Sequence, residues 1–412
     1  MTHTLPSPST LASAFMLDPE IVYLNHGSFG ACPRAVLDAQ SAHRERIERD
    51  AMRFYIYDLW GDIDRSRSAL GGLINADAED LVFVSNATSG VANVIANIDL
   101  RPGDQVITTR FEYPACNNNL RRSCEQAGAE LVVVDLPWNP IDEESVLSAI
   151  MDRVTDRTRL VMFSLITSAT AIRMPAERLI NELHERGVET LLDGDDVASA
   201  HAMADAAHGP GCVPMDIKAW NPTYCTGNAH KWLCSAKGCA FLYVHKDKQD
   251  GFRPVILSND AYDMEPAIAR SDRSAFNHEF DYMGTDDRTP MLVVADAIET
   301  LGSFSEGGIA ELMRRNLAMC LEARDLLCDA MGTAPMVPDS MLGPLATIEV
   351  PAPGMDPRTL RERLMEEFRI EAMIVPNPGG DTPMIRVSPQ VYNSIEQYRY
   401  CADAIRSIIG LS

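Results

Sequence analysis

Between residues 80 and 244, short continuous apolar runs alternate with stretches of helical spacing, and this alternation narrows the possible folds most. "DLVFVS" (80–85), "DQVITTR" (104–110), "AELVVVDL", "TRLVMFSLI" (158–166), "VETLLDG" (188–194) and "GCAFLYV" (238–244) read as strands. "SGVANVIANI", "NNNLRRSCEQAG" and "PAERLINELHERG" read as helices, the second closed by Gly128, the third opened by Pro175 and stopped by Gly187. Apolar runs without polar alternation belong to strands buried on both faces. The pattern therefore predicts an α/β fold whose mostly parallel sheet is covered by helices. Ligands of such sheets sit at the carboxyl ends of the strands. Asn86, Glu112, Ser168 and Asp193 all fall just beyond predicted strand ends.

An arm rich in Pro, Ser and Thr precedes this region, and a long stretch of helical spacing runs from Arg34 to about Leu73. A long helix is expected from about Thr289 to Leu301, and the composition then shifts. The expected organisation is an arm over 1–30 at the mouth of the site, a large domain over 31–290 and a smaller α+β domain over 291–412. Hydrophobic residues make up 46% of the 412 residues, enough for a large core. The net charge of −23 argues against nucleic acid and anionic membranes as partners. The ten cysteines form no CxxC pair and lack zinc-knuckle spacing, so the expectation is reduced thiols in a cytoplasmic protein with no metal site. The N-terminus lacks a basic segment followed by an apolar core, and no stretch approaches a membrane span.

Three elements carry chemistry jointly. In "YCTGNAHKWLCSAKG", Lys231 sits among small donors and an imidazole, a setting for a Schiff-base lysine, although an ordinary exposed lysine reads the same way alone. In "LLDG", Asp193 ends a strand, where a carboxylate is usually a cap. With a Schiff-base lysine downstream it also suits the ring nitrogen of pyridoxal phosphate, which must stay protonated to accept electrons from Cα. "SNATSG" (85–90) enters a helix whose N-terminal N–H groups, with the Thr88 and Ser89 hydroxyls, make a phosphate site. Together the three hold each end of one cofactor.

The segments "YLNHGSFGACPRAV", "FVSNATSGVANVI", "LRPGDQVITT", "ITSAT", "LLDG", "GNAHKW", "YMGTDDRTP" and "IRVSPQVYN" resemble, in order over roughly residues 20–400, the class V aminotransferase family. The similarity is to its isopenicillin N epimerase-like branch. The resemblance implies the fold type I architecture of pyridoxal phosphate enzymes and pyridoxal 5'-phosphate as cofactor. It implies Lys231 as the Schiff-base lysine and Asp193 as partner of the pyridine nitrogen. Ala87 and Thr88, with Asn228 and His230, match the phosphate cup, and Ser168 lies beside it in "ITSAT". Thr285 matches a residue lent to the neighbouring subunit's phosphate, implying a homodimer. Tyr113 falls where the family stacks a ring on the pyridine, and Arg386 resembles the arginine that grips a substrate carboxylate. Asn25 and His26 are expected to line the substrate mouth.

One position departs from the family, which reads Asp-Gly-Ala-His after this strand. Here Asp196 stands where a neutral donor faces the phenolic oxygen, and a carboxylate there must be protonated, turned away or paired. His201 substitutes if the loop runs differently. As activity, the resemblance implies epimerisation at Cα of an amino acid or amino-acid-containing metabolite. The alternative is β-elimination at the C–S bond of a substituted cysteine, and a further alternative is a cofactor-binding protein without turnover. Desulfurases of the wider family carry a mobile cysteine shortly before the arginine. None occurs between Cys328 and Cys401, which disfavours persulfide chemistry.

Overall fold

A computed structural model of the chain describes residues 4–186, 201–258, 261 and 273–411. The strands are β1 (Val22–Tyr23), β2 (Leu81–Val84), β3 (Gln105–Thr109), β4 (Glu130–Val134), β5 (Thr158–Ser164), β6 (His201–Asp205), β7 (Tyr224–Asn228), β8 (Ala240–Val244), β9 (Ala346–Glu349), β10 (Ile370–Glu371), β11 (Met373–Pro376) and β12 (Pro383–Val387). Seven of them form one sheet in the order β2-β8-β7-β6-β5-β3-β4. β8 runs antiparallel to both neighbours, and the other pairs are parallel. β2 and β7 therefore share the direction of the parallel block, so all the site-bearing strand ends open on one edge.

The burial of these strands matches their composition. β2, β3, β7 and β8 are buried at every position, and β5 at all but Arg159. One layer packs Val82, Val84, Val106 and Leu160 against Cys116, Leu120 and Cys124 of the helix Pro114–Ala127. Those three lie four residues apart on one face. Pro114 opens that helix, and Gly128 closes it with φ +71°. On the other layer, the helix Ala176–Glu185 buries Leu179, Ile180 and Leu183 in the larger core.

The strand expected at 188–194 lies outside the described residues. The polar stretch from Arg34 is not one helix: it breaks at Asp50, whose carboxylate accepts from the Arg53 N–H at 3.0 Å, and resumes at Ala51, passing through a π-helical turn (Phe54–Asp58) into Leu59–Ile74. The chain after 346 supplies an antiparallel sheet, β11-β12-β9, backed by the helices Gly308–Met331, Pro357–Phe368 and Ile395–Ile409. Early and late segments meet at the edge of the site. β1 pairs in parallel with β10, Asn25 bridges to Ser388, and the Ser9 N–H donates to Tyr392 O at 3.0 Å. No helix among the described residues is long and apolar enough to cross a membrane.

Candidate active site

β7 ends at Asn228, and its side chain ties two predicted elements together. Its Oδ1 accepts from the Ala87 N–H at 2.9 Å, holding the N-terminus of the helix Ala87–Ala96 against the strand end. Asn86 caps the same helix by accepting from the Ser89 N–H at 2.8 Å. The Thr88 N–H between them has no acceptor among the described residues. Gly90 permits the close approach, since a Cβ there would lie 2.1 Å from Thr226 Oγ1. The corner thus offers the Thr88 N–H and a positive helix end to an anion. His230 adjoins it, with Nδ1 donating to Cys239 O at 2.8 Å. Burial lowers its pKa to about 4.

Lys231 follows. Its Nζ lies 3.2 Å from His208 Nε2, and Trp232 Nε1 donates to His208 Nδ1 at 3.1 Å. Burial, and then the charge of Arg386, lower the lysine pKa to about 8. From below, the His26 ring contacts the Lys231 carbonyl at 3.1 Å. Gly30, with φ +69°, fits against the same stretch, where a Cβ would sit 2.4 Å from His230 O.

β6 ends at Asp205, a carboxylate that sequence reasoning missed. It is 2% exposed and accepts from the Ala207 N–H at 3.0 Å and the Cys116 thiol at 3.4 Å. Burial raises its pKa, and Lys231 pulls it back. Among the described residues it makes no ion pair. A buried carboxylate without a protein cation suits a cationic ring nitrogen. His208, three residues on, is the imidazole that faces the lysine. "DAAH" (205–208) therefore has the Asp-x-x-His spacing sought at 193–196, and that spacing is the signal that would have found it. Asp193 and Asp196 themselves lie outside the described residues.

Beneath the loop after β3, Glu112 is tied on three sides. It accepts from the Ser164 N–H and the Thr109 hydroxyl, both at 2.9 Å, and from the Ser164 hydroxyl. Burial outweighs those bonds and pushes its pKa up to about 7. A carboxyl whose folded pKa exceeds its unfolded one stabilises below the unfolded pKa, and that stability is lost as pH rises through the folded value. The protein is therefore expected to lose at most about 3 kcal/mol between about pH 4.5 and 7 from this group. Glu112→Gln keeps every bond if the Ser164 hydroxyl turns to accept, and should flatten that segment of the pH profile. Urea titrations at pH 5 and 7.5 check this, and an unchanged slope would refute it.

Tyr113, one residue on, is 48% exposed, a ring free to cover a flat ligand. Arg386 on β12 is 1% exposed and reaches only neutral acceptors: Ser168 O, Ser28 Oγ at 2.9 Å and Asn25 Oδ1 at 3.3 Å. Its Nε has no partner, and no described carboxylate pairs with it. Burial lowers its pKa to about 10.

The structure thus gathers Ala87, Thr88, Asn228, His230 and Lys231 along one sheet edge, and it joins Ser168 and Asn25 through Arg386. His26 is fully buried, with Nδ1 against the Tyr392 hydroxyl at 2.8 Å, and its ring supports the lysine's backbone. Burial lowers its pKa to about 3. Thr285 is exposed, in the turn after the helix Ala275–Asp281. Among the described residues no group of three or more metal-ligating side chains occurs.

Residues 33–396 match the family aminotransferase class-V. The chain is 29% identical to a probable chloroplastic L-cysteine desulfhydrase of Arabidopsis thaliana, covering 95% of this chain and 84% of that one. It is also 29% identical to isopenicillin N epimerase of Streptomyces clavuligerus, over 96% of each. Among solved structures it superimposes on the cystine C-S lyase C-DES with a TM-score of 0.77 at 19% identity, covering 94% and 97% of the two chains. The cysteine desulfurase CsdA of Escherichia coli gives 0.77 at 18%, covering 97% and 98%.

Proposed function

From the premise that this chain belongs to the class V aminotransferase family and is a pyridoxal 5'-phosphate-dependent enzyme, we propose that it removes the Cα proton of a carboxylate-bearing amino acid and expels a β-substituent, as a lyase. The observation that carries amino-acid binding is Arg386: a buried guanidinium whose Nε has no partner and with which no carboxylate among the described residues pairs, close enough to Lys231 to depress its pKa. A substrate carboxylate supplies the missing partner. Arg386→Ala is expected to raise KM by about a hundredfold, in line with the cost of unpairing a buried charge contact. Steady-state kinetics check this, and an unchanged KM would remove the assignment.

When bound, the cofactor supplies an aldehyde to join the substrate's nitrogen and a ring to take up the electron pair released at Cα. The protein's residues do the rest. The free N–H of Thr88, with Ala87, Asn228 and His230, forms the phosphate corner, and Asp205 balances the ring nitrogen's charge. Asp205 takes the role expected of Asp193, and His208 that expected at Asp196. Tyr113 covers the ring. Lys231, with a pKa of about 8, takes the Cα proton at near-neutral pH.

Elimination is favoured over epimerisation by the inventory of bases. Among the described residues that adjoin Arg386, Lys231 has a pKa in the working range, while His26 and His208 are held neutral by burial. One base on one face can remove the Cα proton and then protonate the leaving group. Inversion needs a donor on the opposite face. Epimerisation stays as the second reading because the match to isopenicillin N epimerase runs end to end.

Incubation with L-cysteine and other β-substituted amino acids in deuterated water separates the two. Keto acid, ammonia and leaving group without inversion are expected. Inversion with α-deuterium and no keto acid would replace the lyase reading. We further propose a homodimer in which Thr285 reaches the neighbouring phosphate corner, supported by its exposure and by the exposed Phe29, Tyr57 and Tyr113. All ten cysteines are free and nine are buried, which supports a reducing, cytoplasmic setting.

A further inference from the structure

We infer that Trp232 is a positioning residue: its indole N–H fixes the tautomer of His208, so that His208 turns an N–H, not a lone pair, toward the amine of Lys231. The argument begins with donor capacity. An indole nitrogen only donates, and Trp232 Nε1 lies 3.1 Å from His208 Nδ1. Nδ1 must therefore be the unprotonated ring nitrogen. Both partners are buried, at 0% and 2% exposure, so water does not compete for either. Burial, then the charges of Lys231 and Arg386, keep the imidazole neutral. Its single proton then sits on Nε2, 3.2 Å from Lys231 Nζ.

The consequence falls on the lysine. An ammonium has three donors and no acceptor, so facing it with an N–H sets donor against donor. A neutral amine has the lone pair that this N–H needs. The pair Trp232–His208 thus selects the free amine, the form that attacks an aldehyde and the form that takes a proton. The other groups coupled to this amine are Arg386, which also disfavours the ammonium, and Asp205, Cys212 and Cys116, which favour it.

Trp232 is itself held in place. His26 packs edge-on against the indole at 4.9 Å between centroids. His26 is fixed in turn: its Nε2 lies 3.1 Å from the Lys231 carbonyl and 3.3 Å from Gln390 Nε2, and its Nδ1 lies 2.8 Å from the Tyr392 hydroxyl. Two neutral histidines thus bracket one Lys-Trp dipeptide, one on its backbone and one on its amine.

The tautomer stands independently of the activity, whereas its effect on the amine rests on the reading of Lys231 above. The test uses the full-length holoenzyme labelled with nitrogen-15 histidine, with His208 assigned by His208→Gln. In the wild type, His208 is expected to show a protonated Nε2 and a bare Nδ1. Trp232→Phe, which keeps an aromatic ring but loses the N–H, is expected to populate the other tautomer. A protonated Nδ1 in the wild type would overturn the proposal whether or not the variant folds, and so would an unchanged pattern in a folded Trp232→Phe.

The second readout is the rate at which the cofactor-stripped chain takes up pyridoxal 5'-phosphate as a function of pH. Its midpoint is expected to move up by about one unit in Trp232→Phe. A midpoint that stays put while the tautomer changes would sever His208 from the amine and overturn that half. If Lys231→Ala took up the cofactor with the same absorbance change, the Lys231 reading would fail while the tautomer result stood.

Discussion

Lys231→Ala is expected to abolish turnover, by at least about 10⁴-fold, and to leave any bound cofactor unable to be fixed by borohydride. Two functions are lost at one atom. On the function proposed above, Nζ is both the nucleophile that tethers the aldehyde and the base that takes the Cα proton. Nothing nearby replaces it. His208, the nearest ring at 3.2 Å, is buried and held neutral, and its outer nitrogen is occupied by Trp232. Arg386 keeps its proton at any working pH even with its pKa lowered to about 10. The measurement is a borohydride-reduction digest with mass detection of the modified peptide, alongside turnover. A reduced cofactor found on another lysine in the wild type would overturn the assignment.

Asp205→Ala is expected to slow Cα-proton exchange by about 10²–10³-fold, the usual cost of losing one preorganised electrostatic partner. Asp193→Ala should leave exchange within about threefold, well under the 1.4 kcal/mol that a tenfold change represents. The contrast follows from position. Asp205 ends β6, which lies between β5 and β7 in the middle of the sheet, and among the described residues it makes no ion pair. Its bonds to the Ala207 N–H and the Cys116 thiol orient the carboxylate without neutralising it. Exchange of the α-proton in deuterated water, followed by proton NMR, measures both variants. The reverse ranking would return the role to Asp193.

That contrast also marks where the sequence stops being legible. The strands at 81–84, 105–109, 158–164 and 240–244 could be read because apolar and β-branched residues bury both faces, and the edge strand at 130–134 from its run of valines. The helix Pro114–Ala127 could be read from its Pro, its Gly and its four-residue spacing. β6 could not. "HAMAD" is built from small and flexible residues of weak strand propensity, because the middle of the sheet is crowded. A Cβ on Gly227 would already meet Ala206 O at 2.5 Å. "VETLLDG" has the stronger apolar pattern, which is why the sequence points to Asp193 and, with it, to Asp196, both outside the described residues.

Lys231 and Arg386 could be singled out as candidates because each sits in a motif whose residue types serve one chemistry. The place of His26 was not legible. A histidine in a Gly-rich turn reads the same whether its ring faces solvent or, as here, lies under another segment 205 residues away. Trp232 carried no separate signal either, since its role depends on which histidine nitrogen it meets.

The meeting of early and late segments below Lys231 has a bearing on biosynthesis. β1 finds its partner only when residue 370 exists, and the His26 ring finds its hydroxyl partner only when Tyr392 does. A chain emerging from the ribosome has completed the sheet, the helix N-terminus and the lysine long before that. Contacts of such sequence separation form last, because loop closure must come first. The platform for the cofactor is thus ready early, while the floor that holds the lysine's backbone arrives only with residues 370 to 392. Cofactor captured before those residues emerge would meet a lysine not yet held in place, so correct loading waits on them.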